Sequence, residues 1–346
     1  MQTLIKWHQE RYPHMQAEDI VKLIFQALRG CGHLLADEER VTARIDAECA
    51  RLSPASDEPL HELLGERYIR LHLRRAMAEG IRPVWIARMM RMSCENAPAG
   101  TVDDVLAAVR SLYAHDEGVM RALAPLEANA DWLPSHSQTY HEYYSPAYRV
   151  IDKRFEQMLP LLCAIGKIDK PQTLIGIDGH CAGGKSTLAA MLAAVLDAPV
   201  VHMDDFFTPH AQKTPERLAL PGGNADVERF TEEFIRPWLR DGRAAYRPYS
   251  CHQDAMLDPV EVPYAPYVIV EGSYCMHPHT GRPYDVSAFV TIPYYDQLER
   301  IERRDGIFML ERFRNEWIPM EEKYFAAFGL PDERCIVIGQ TGHTAS

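Results

Sequence analysis

No window of this chain approaches the roughly 18 consecutive apolar residues that a membrane-spanning helix needs. The richest apolar run, Leu188–Leu196, is far shorter, and Met1–Met15 carries Lys6, Glu10 and Arg11 where a secretory leader would be apolar. A membrane partner is therefore not expected, and a cytoplasmic location is. Positive charge is also scarce: 37 Lys and Arg face 49 Asp and Glu, a formal net charge of −12. That balance argues against a nucleic-acid partner, which a basic face would announce. The eight cysteines are scattered and include no CxxC pair, so they read as reduced thiols rather than a disulfide framework. Cys275, His277 and His279 could set three ligands on one side of an extended segment. Pro278 interrupts them and no second cluster has metal spacing, so a structural zinc is not expected. Internal repeats and low-complexity tracts are missing too.

What is present is an ordinary globular composition, 47% hydrophobic and 25% charged, over 346 residues. That length makes two domains the expectation. Apolar spacing in residues 1–145 is helical throughout: Ile20, Val21, Leu23, Ile24 and Leu28 form one stripe ended by Gly30, and Val41, Ile45 and Cys49 form another behind Asp37, Glu38 and Glu39. Leu63–Ala78, Val84–Met92 and Val102–Tyr113 continue the pattern. The expectation is an all-helical N-terminal domain. The segment Asp131–Pro146, with its Pro and Ser residues, reads as a linker, and Val150–Ile165 as a helix opening a second domain over residues 146–346. There the grammar changes. Strand candidates at Thr173–Ile177, Pro199–Met203, Tyr267–Val270, Ala288–Ile292 and Cys335–Ile338 alternate with helices or loops. This predicts an α/β fold with a parallel sheet covered by helices.

The first of these strands runs into Gly179, His180, Cys181, Ala182, Gly183, Gly184, Lys185, Ser186 and Thr187, and an Ala/Leu/Met-rich helical run follows. The spacing fits G-x-x-x-x-G-K-[ST] in the strand–loop–helix setting that makes the motif a phosphate-binding loop. Gly179 and Gly184 let backbone N–H groups point at phosphate oxygens. Lys185 is expected to reach the β- and γ-phosphates of ATP, and Ser186 to hold Mg²⁺.

Further acids fall where an open α/β sheet gathers its ligands, at the carboxyl ends of strands. Asp204 and Asp205 follow the second strand, where one carboxylate could accept a hydroxyl proton and its neighbour assist the metal. Glu271 ends the run Tyr267–Val270 and reads as a Walker-B acid on Mg²⁺. Arg300, Arg303, Arg304, Arg312 and Arg314 cluster in one stretch. They could close over a triphosphate, or simply pair with Glu299, Glu302 and Glu311 on a solvated helix face.

With these residues in view, the pattern resembles the uridine kinase and phosphoribulokinase group of P-loop kinases. The matching elements are Ile177-Asp178 with the loop, Asp204-Asp205-Phe206-Phe207, Gly223-Asn224-Ala225-Asp226, Tyr246-Arg247-Pro248-Tyr249, Val270-Glu271-Gly272, Tyr284-Asp285 and Arg300-Ile301-Glu302-Arg303-Arg304-Asp305. They cover about residues 172–340. The resemblance implies ATP-dependent transfer to a hydroxyl of a small molecule, often a nucleoside such as uridine. It makes Asp204 the general base, Arg303 and Arg304 the start of a lid, and Asp205, Asp226 and Tyr249 acceptor-side residues. Departures fall on that acceptor side. Ser250 replaces the acid that usually follows the tyrosine, and Ala225-Asp226-Val227-Glu228 stands for a Phe-Asp-His-Pro element. The Trp317–Glu322 continuation is similar to uridine kinase-like bacterial proteins.

Two residues invite separate expectations. Cys181, inside the loop, would block ATP binding if oxidised or alkylated, or else is a tolerated small residue. His33, flanked by Gly32, is a ligand, a catalytic group or part of a helix-ending turn. The competing reading for the whole chain is an ATP-dependent switch whose helical half binds a partner. An apolar helical surface can be core or an interface between copies, which leaves a homo-oligomer open.

Overall fold

The computed structural model describes residues 1–31, 37–55, 57–95 and 98–339. They form two compact units, Met1–Gly166 and Lys167–Ser346. His33 lies outside the described residues.

The first unit is built mainly of helices at the expected places. Ala17–Arg29 buries Val21, Leu23 and Ile24 and begins with a capping box in which Asp19 accepts from the Gln16 N–H at 2.9 Å. Asp37 caps Glu38–Cys49 through the N–H groups of Glu39 and Arg40. The unit also contains a sheet that apolar spacing did not announce. Strands β1 (His61–Leu64), β2 (Tyr68–His72) and β3 (Tyr148–Asp152) pair antiparallel in that order. Strand β2 is buried on both faces, so it shows no polar alternation, and it runs directly into the helix Leu73–Ala78. The two together imitate one helical stretch. The expected boundary after residue 145 is corrected for a related reason. β3 takes its hydrogen bonds from β2, and a Cβ on Gly166 would stand 2.2 Å from the Gly80 carbonyl oxygen. Residues 146–166 therefore belong with the first unit. Within 131–146, Ser137 caps a short helix, Gln138–Tyr144, by accepting from the Tyr140 N–H at 3.0 Å.

The second unit has the α/β fold the alternation predicts. Its strands are β4 (Thr173–Gly179), β5 (Val200–His202), β6 (Ala244–Tyr246), β7 (Tyr249–Ser250), β8 (Ala255–Met256), β9 (Val260–Val262), β10 (Tyr267–Glu271), β11 (Val286–Thr291) and β12 (Cys335–Gly339). Five of them make one parallel sheet in the order β12-β11-β4-β10-β5. β6 pairs with β9 and β7 with β8 as small antiparallel ladders. β4 is wholly buried at the centre, and the chain leaves it for β5 on one side and later for β11 and β12 on the other. That reversal of strand order puts a crevice at the carboxyl end of β4. The helix Lys185–Leu196 packs its Leu188, Leu192 and Val195 inward against the sheet. Among the described residues no helix is long and apolar enough to cross a membrane.

Candidate functional site

The loop from β4 to the helix at Lys185 is shaped by its neighbours as much as by its glycines. Gly179 has φ +132°, and a Cβ there would stand 2.1 Å from the Val290 carbonyl oxygen of β11. Its glycine is therefore demanded by the adjacent strand as well as by the curl of the loop. Ala182 at φ 55° and Gly184 at φ 102° complete the turn. Lys185 is 8% exposed and folds back so that Nζ donates to the carbonyls of Gly179 (2.7 Å) and His180 (2.9 Å). The ammonium is thereby kept at the loop instead of in bulk solvent.

Glu271 ends β10, in register with Ile177 of β4 and His202 of β5. Both of its carboxylate oxygens are engaged. Oε2 accepts from the Ser186 hydroxyl at 3.1 Å and Oε1 lies 2.6 Å from His202 Nδ1. The hydrogen bond to Glu271 raises the His202 pKa against the opposing effect of its burial. Asp204 stands in the turn after β5, solvent-accessible yet walled by protein. Crowding that strips water from the carboxylate, and then the Glu271 charge, raise its pKa, while Lys185 and His202 oppose them. An acid, a lysine and a hydroxyl–carboxylate pair thus share one electrostatic neighbourhood at the head of the sheet. Oxygen donors at Ser186 and Glu271 suit a hard divalent cation, and the curled loop with its ammonium suits phosphate.

Other expected site residues are placed differently. Asp205 accepts from the Tyr246 hydroxyl at 2.8 Å, and its backbone carbonyl accepts from Arg229 at 2.7 Å. Asp226 caps the helix Val227–Phe230, accepting from the Arg229 N–H at 3.1 Å, with the Arg229 side chain 3.5 Å away. Its carboxylate thus has a role in the fold. The Tyr249 hydroxyl donates to Asp254 and accepts from the His210 N–H, which ties β7 to its own loop. In the arginine cluster, Arg300 is the one that reaches the loop, 3.5 Å from the Ala182 carbonyl oxygen. Arg304 pairs with Asp305 at 2.8 Å, and Arg303 is exposed on the same helix, Tyr294–Asp305. Cys275 is buried in the core, while His277 stacks on Tyr324, so these two neighbours serve packing.

Asp178, Glu321 and Gln297, near the loop, were assigned no role from the sequence. Asp178 is fully buried and accepts from the N–H groups of Gly179 (2.7 Å) and Met276 (3.0 Å) and from the Tyr324 hydroxyl (2.8 Å). Burial nevertheless pushes its pKa up. In the sequence it showed as an acid inside an otherwise apolar strand and as part of the Ile177-Asp178 match. Glu321 accepts from the Cys181 N–H (2.9 Å) and from the Ser273 hydroxyl (2.5 Å), and Gln297 donates to the Cys181 carbonyl at 3.0 Å. Together they brace the loop from outside. Of the two readings of Cys181, the same setting favours the tolerated small residue. Burial, followed by the Glu321 carboxylate, drives its thiol far above the ordinary value. Iodoacetamide is expected to alkylate Cys181 more slowly than exposed Cys251, as peptide mass analysis would show. Equal rates would contradict the braced loop.

No family model matches the chain, and no curated protein matches it. Among solved structures it is similar to a possible uridine kinase from Bacillus stearothermophilus, with 20% identity, 48% of this chain and 94% of the other covered, and a TM-score of 0.37. It is also similar to a provisionally assigned fructose transport system kinase from Silicibacter sp. TM1040 (22%, 53% and 95% covered, 0.42). A deoxyadenosine kinase from M. mycoides matches at 14% identity over 48% of this chain and 90% of its own, with a TM-score of 0.23.

Proposed function

We propose that Lys167–Ser346 is an ATP-dependent kinase that phosphorylates a hydroxyl of a small molecule, with a nucleoside such as uridine as the first acceptor to try. The observation that carries this reading is the neighbourhood of Asp204. A carboxylate of raised pKa, open to solvent after edge strand β5, is within electrostatic reach of Lys185 and of Glu271, the partner of Ser186. A nucleotide switch needs the loop and the Walker-B acid but has no use for an acceptor base.

In this reading the backbone of residues 179–187 cradles the triphosphate, and Lys185 gives up its loop carbonyls for phosphate oxygens. Ser186 and Glu271 would hold Mg²⁺. Bound Mg·ATP would supply the phosphoryl group, and the metal would balance phosphate charge. Asp204 takes the proton of the acceptor hydroxyl, and its raised pKa makes it a stronger base than an ordinary aspartate. Arg300, already at the loop, and Arg303 and Arg304 beyond it, would cover the phosphates and exclude water. The acceptor side follows the resemblance, with departures at Ser250 and Ala225–Glu228.

Purified protein with Mg·ATP and a pool of nucleosides, sugars and vitamins is expected to form ADP in step with one phosphorylated alcohol, identified by mass. ATP bound or hydrolysed with no phosphorylated acceptor from any pool would instead favour the switch.

A further inference from the structure

A cavity of about 570 Å³ opens within Met1–Gly166. That volume falls inside the range of small-molecule sites, about 300–1,000 Å³. Its lining combines apolar Phe25, Ile45 and Met90 with polar Lys22, Tyr148 and Arg149.

The polar lining is organised from behind. Buried Asp19 holds His136 through Nδ1 at 2.7 Å, and His136 Nε2 lies 2.6 Å from the Tyr148 hydroxyl, which also donates to Gln26 Oε1 at 3.2 Å. Arg70, fully enclosed, gives two N–H groups to Gln26 Oε1 (2.8 and 3.2 Å) and lies over the Tyr148 ring at 4.6 Å. A buried polar chain of this extent is costly unless every member is satisfied, and it fixes the orientation of what it supports. Lys22 is the group this scaffold leaves available. Its ammonium donates to the Pro134 carbonyl at 3.3 Å and makes no ion pair among the described residues. Burial, then Arg70, lower its pKa to about 8 against the opposing charge of Asp19. The charged lining is Lys22, Arg44 and Arg149 against Glu48 alone, a local positive excess in a chain of net charge −12.

We infer that this cavity binds a small organic anion, a carboxylate or phosphate ester whose head sits on Lys22 and whose apolar body lies against Phe25, Ile45 and Met90. The site is independent of the phosphate loop and of the kinase reading.

Lysine acetylation of the intact chain by acetic anhydride, read peptide by peptide, tests this with phenyl phosphate, benzoate, inorganic phosphate and phenol as probes. Phenyl phosphate or benzoate is expected to slow acetylation of Lys22 several-fold at concentrations where inorganic phosphate and phenol do not. Which of the two protects identifies the head group. Calorimetry should then show that Lys22→Met weakens the protecting probe about tenfold or more, the worth of a charge-assisted hydrogen bond. Lys185→Met should leave it within twofold. Absence of protection by both organic anions overturns the inference without any variant having to fold. Unchanged affinity in Lys22→Met, or affinity lost in Lys185→Met, overturns it as well.

Discussion

Asp204→Asn is expected to lower phosphoryl transfer by about 10²–10⁴-fold, the usual worth of a positioned general base, while ATP binding stays near the wild-type level. The substitution keeps the shape of the side chain and removes only its ability to take a proton. Asp204 makes no hydrogen bond to the loop or to Ser186, whose partner is Glu271, so the nucleotide side should not register the change. Single-turnover kinetics against a calorimetric ATP titration separate the two effects. Asp205→Asn is the matching control. Its carboxylate accepts from Tyr246 on β6, so the loss there should be one of stability, about 1 kcal/mol, with little effect on the chemical step. Transfer by Asp204→Asn at the wild-type rate would remove Asp204 as the base, and with it the strongest reason to prefer a kinase over a switch.

The parts of this site that could be read in advance are those whose chemistry is local in sequence. The loop at Gly179–Thr187, the acid at the end of Tyr267–Val270 and the acids after Pro199–Met203 each sit within a few residues of the strand that positions them. The five-strand sheet was legible for the same reason, since buried parallel strands are short apolar runs between helices. The braces of the loop were not. Cys181 and Glu321 are 140 positions apart, and only the fold brings that carboxylate to that N–H. Cys31 and Cys94 are a parallel case, scattered in sequence yet with Sγ atoms 3.0 Å apart as free thiols. Asp226 shows a different limit of local sequence: an acid that caps a helix and an acid that meets a ligand occupy the same kind of position, just before a helical turn. The N-terminal sheet was hidden by Arg70 and His72. They are polar residues at buried strand positions: Arg70 bonds Gln26 and Glu62, and His72 Nδ1 lies 3.0 Å from Glu58, with protein and not solvent as the partner.

That buried polar cluster also gives the first unit a steep acid response. His8 is fully buried, neither ring nitrogen has a partner within hydrogen-bonding distance, and burial followed by Arg70 lowers its pKa to about 4 despite Glu62 nearby. Burial lowers His136 to about 4 as well, against the hydrogen bond from its imidazole to Asp19. In the unfolded chain both would titrate near the ordinary value of 6.5. Between the two values the unfolded chain binds more protons than the folded one, so stability is complete above about pH 6.5 and falls as the pH drops toward 4. Each such shift is worth of order 3 kcal/mol once fully expressed. Glu62 continues the loss at lower pH. Burial would raise it, but His72 and Arg70 outweigh that and hold it at about 2, so its contribution is present above the ordinary 4.5 and disappears as the pH falls through 2. Urea titrations of the intact chain, followed by hydrogen exchange on Ala17–Arg29, are expected to show a midpoint that falls from pH 7 to pH 4.5. His8→Phe keeps a ring beside Tyr12 and removes one proton-binding site, so it should flatten that slope and raise stability at pH 5 by about 1–3 kcal/mol. An unaltered slope in His8→Phe would mean that the imidazole is charged in the folded protein and paired with Glu62, 4.0 Å away.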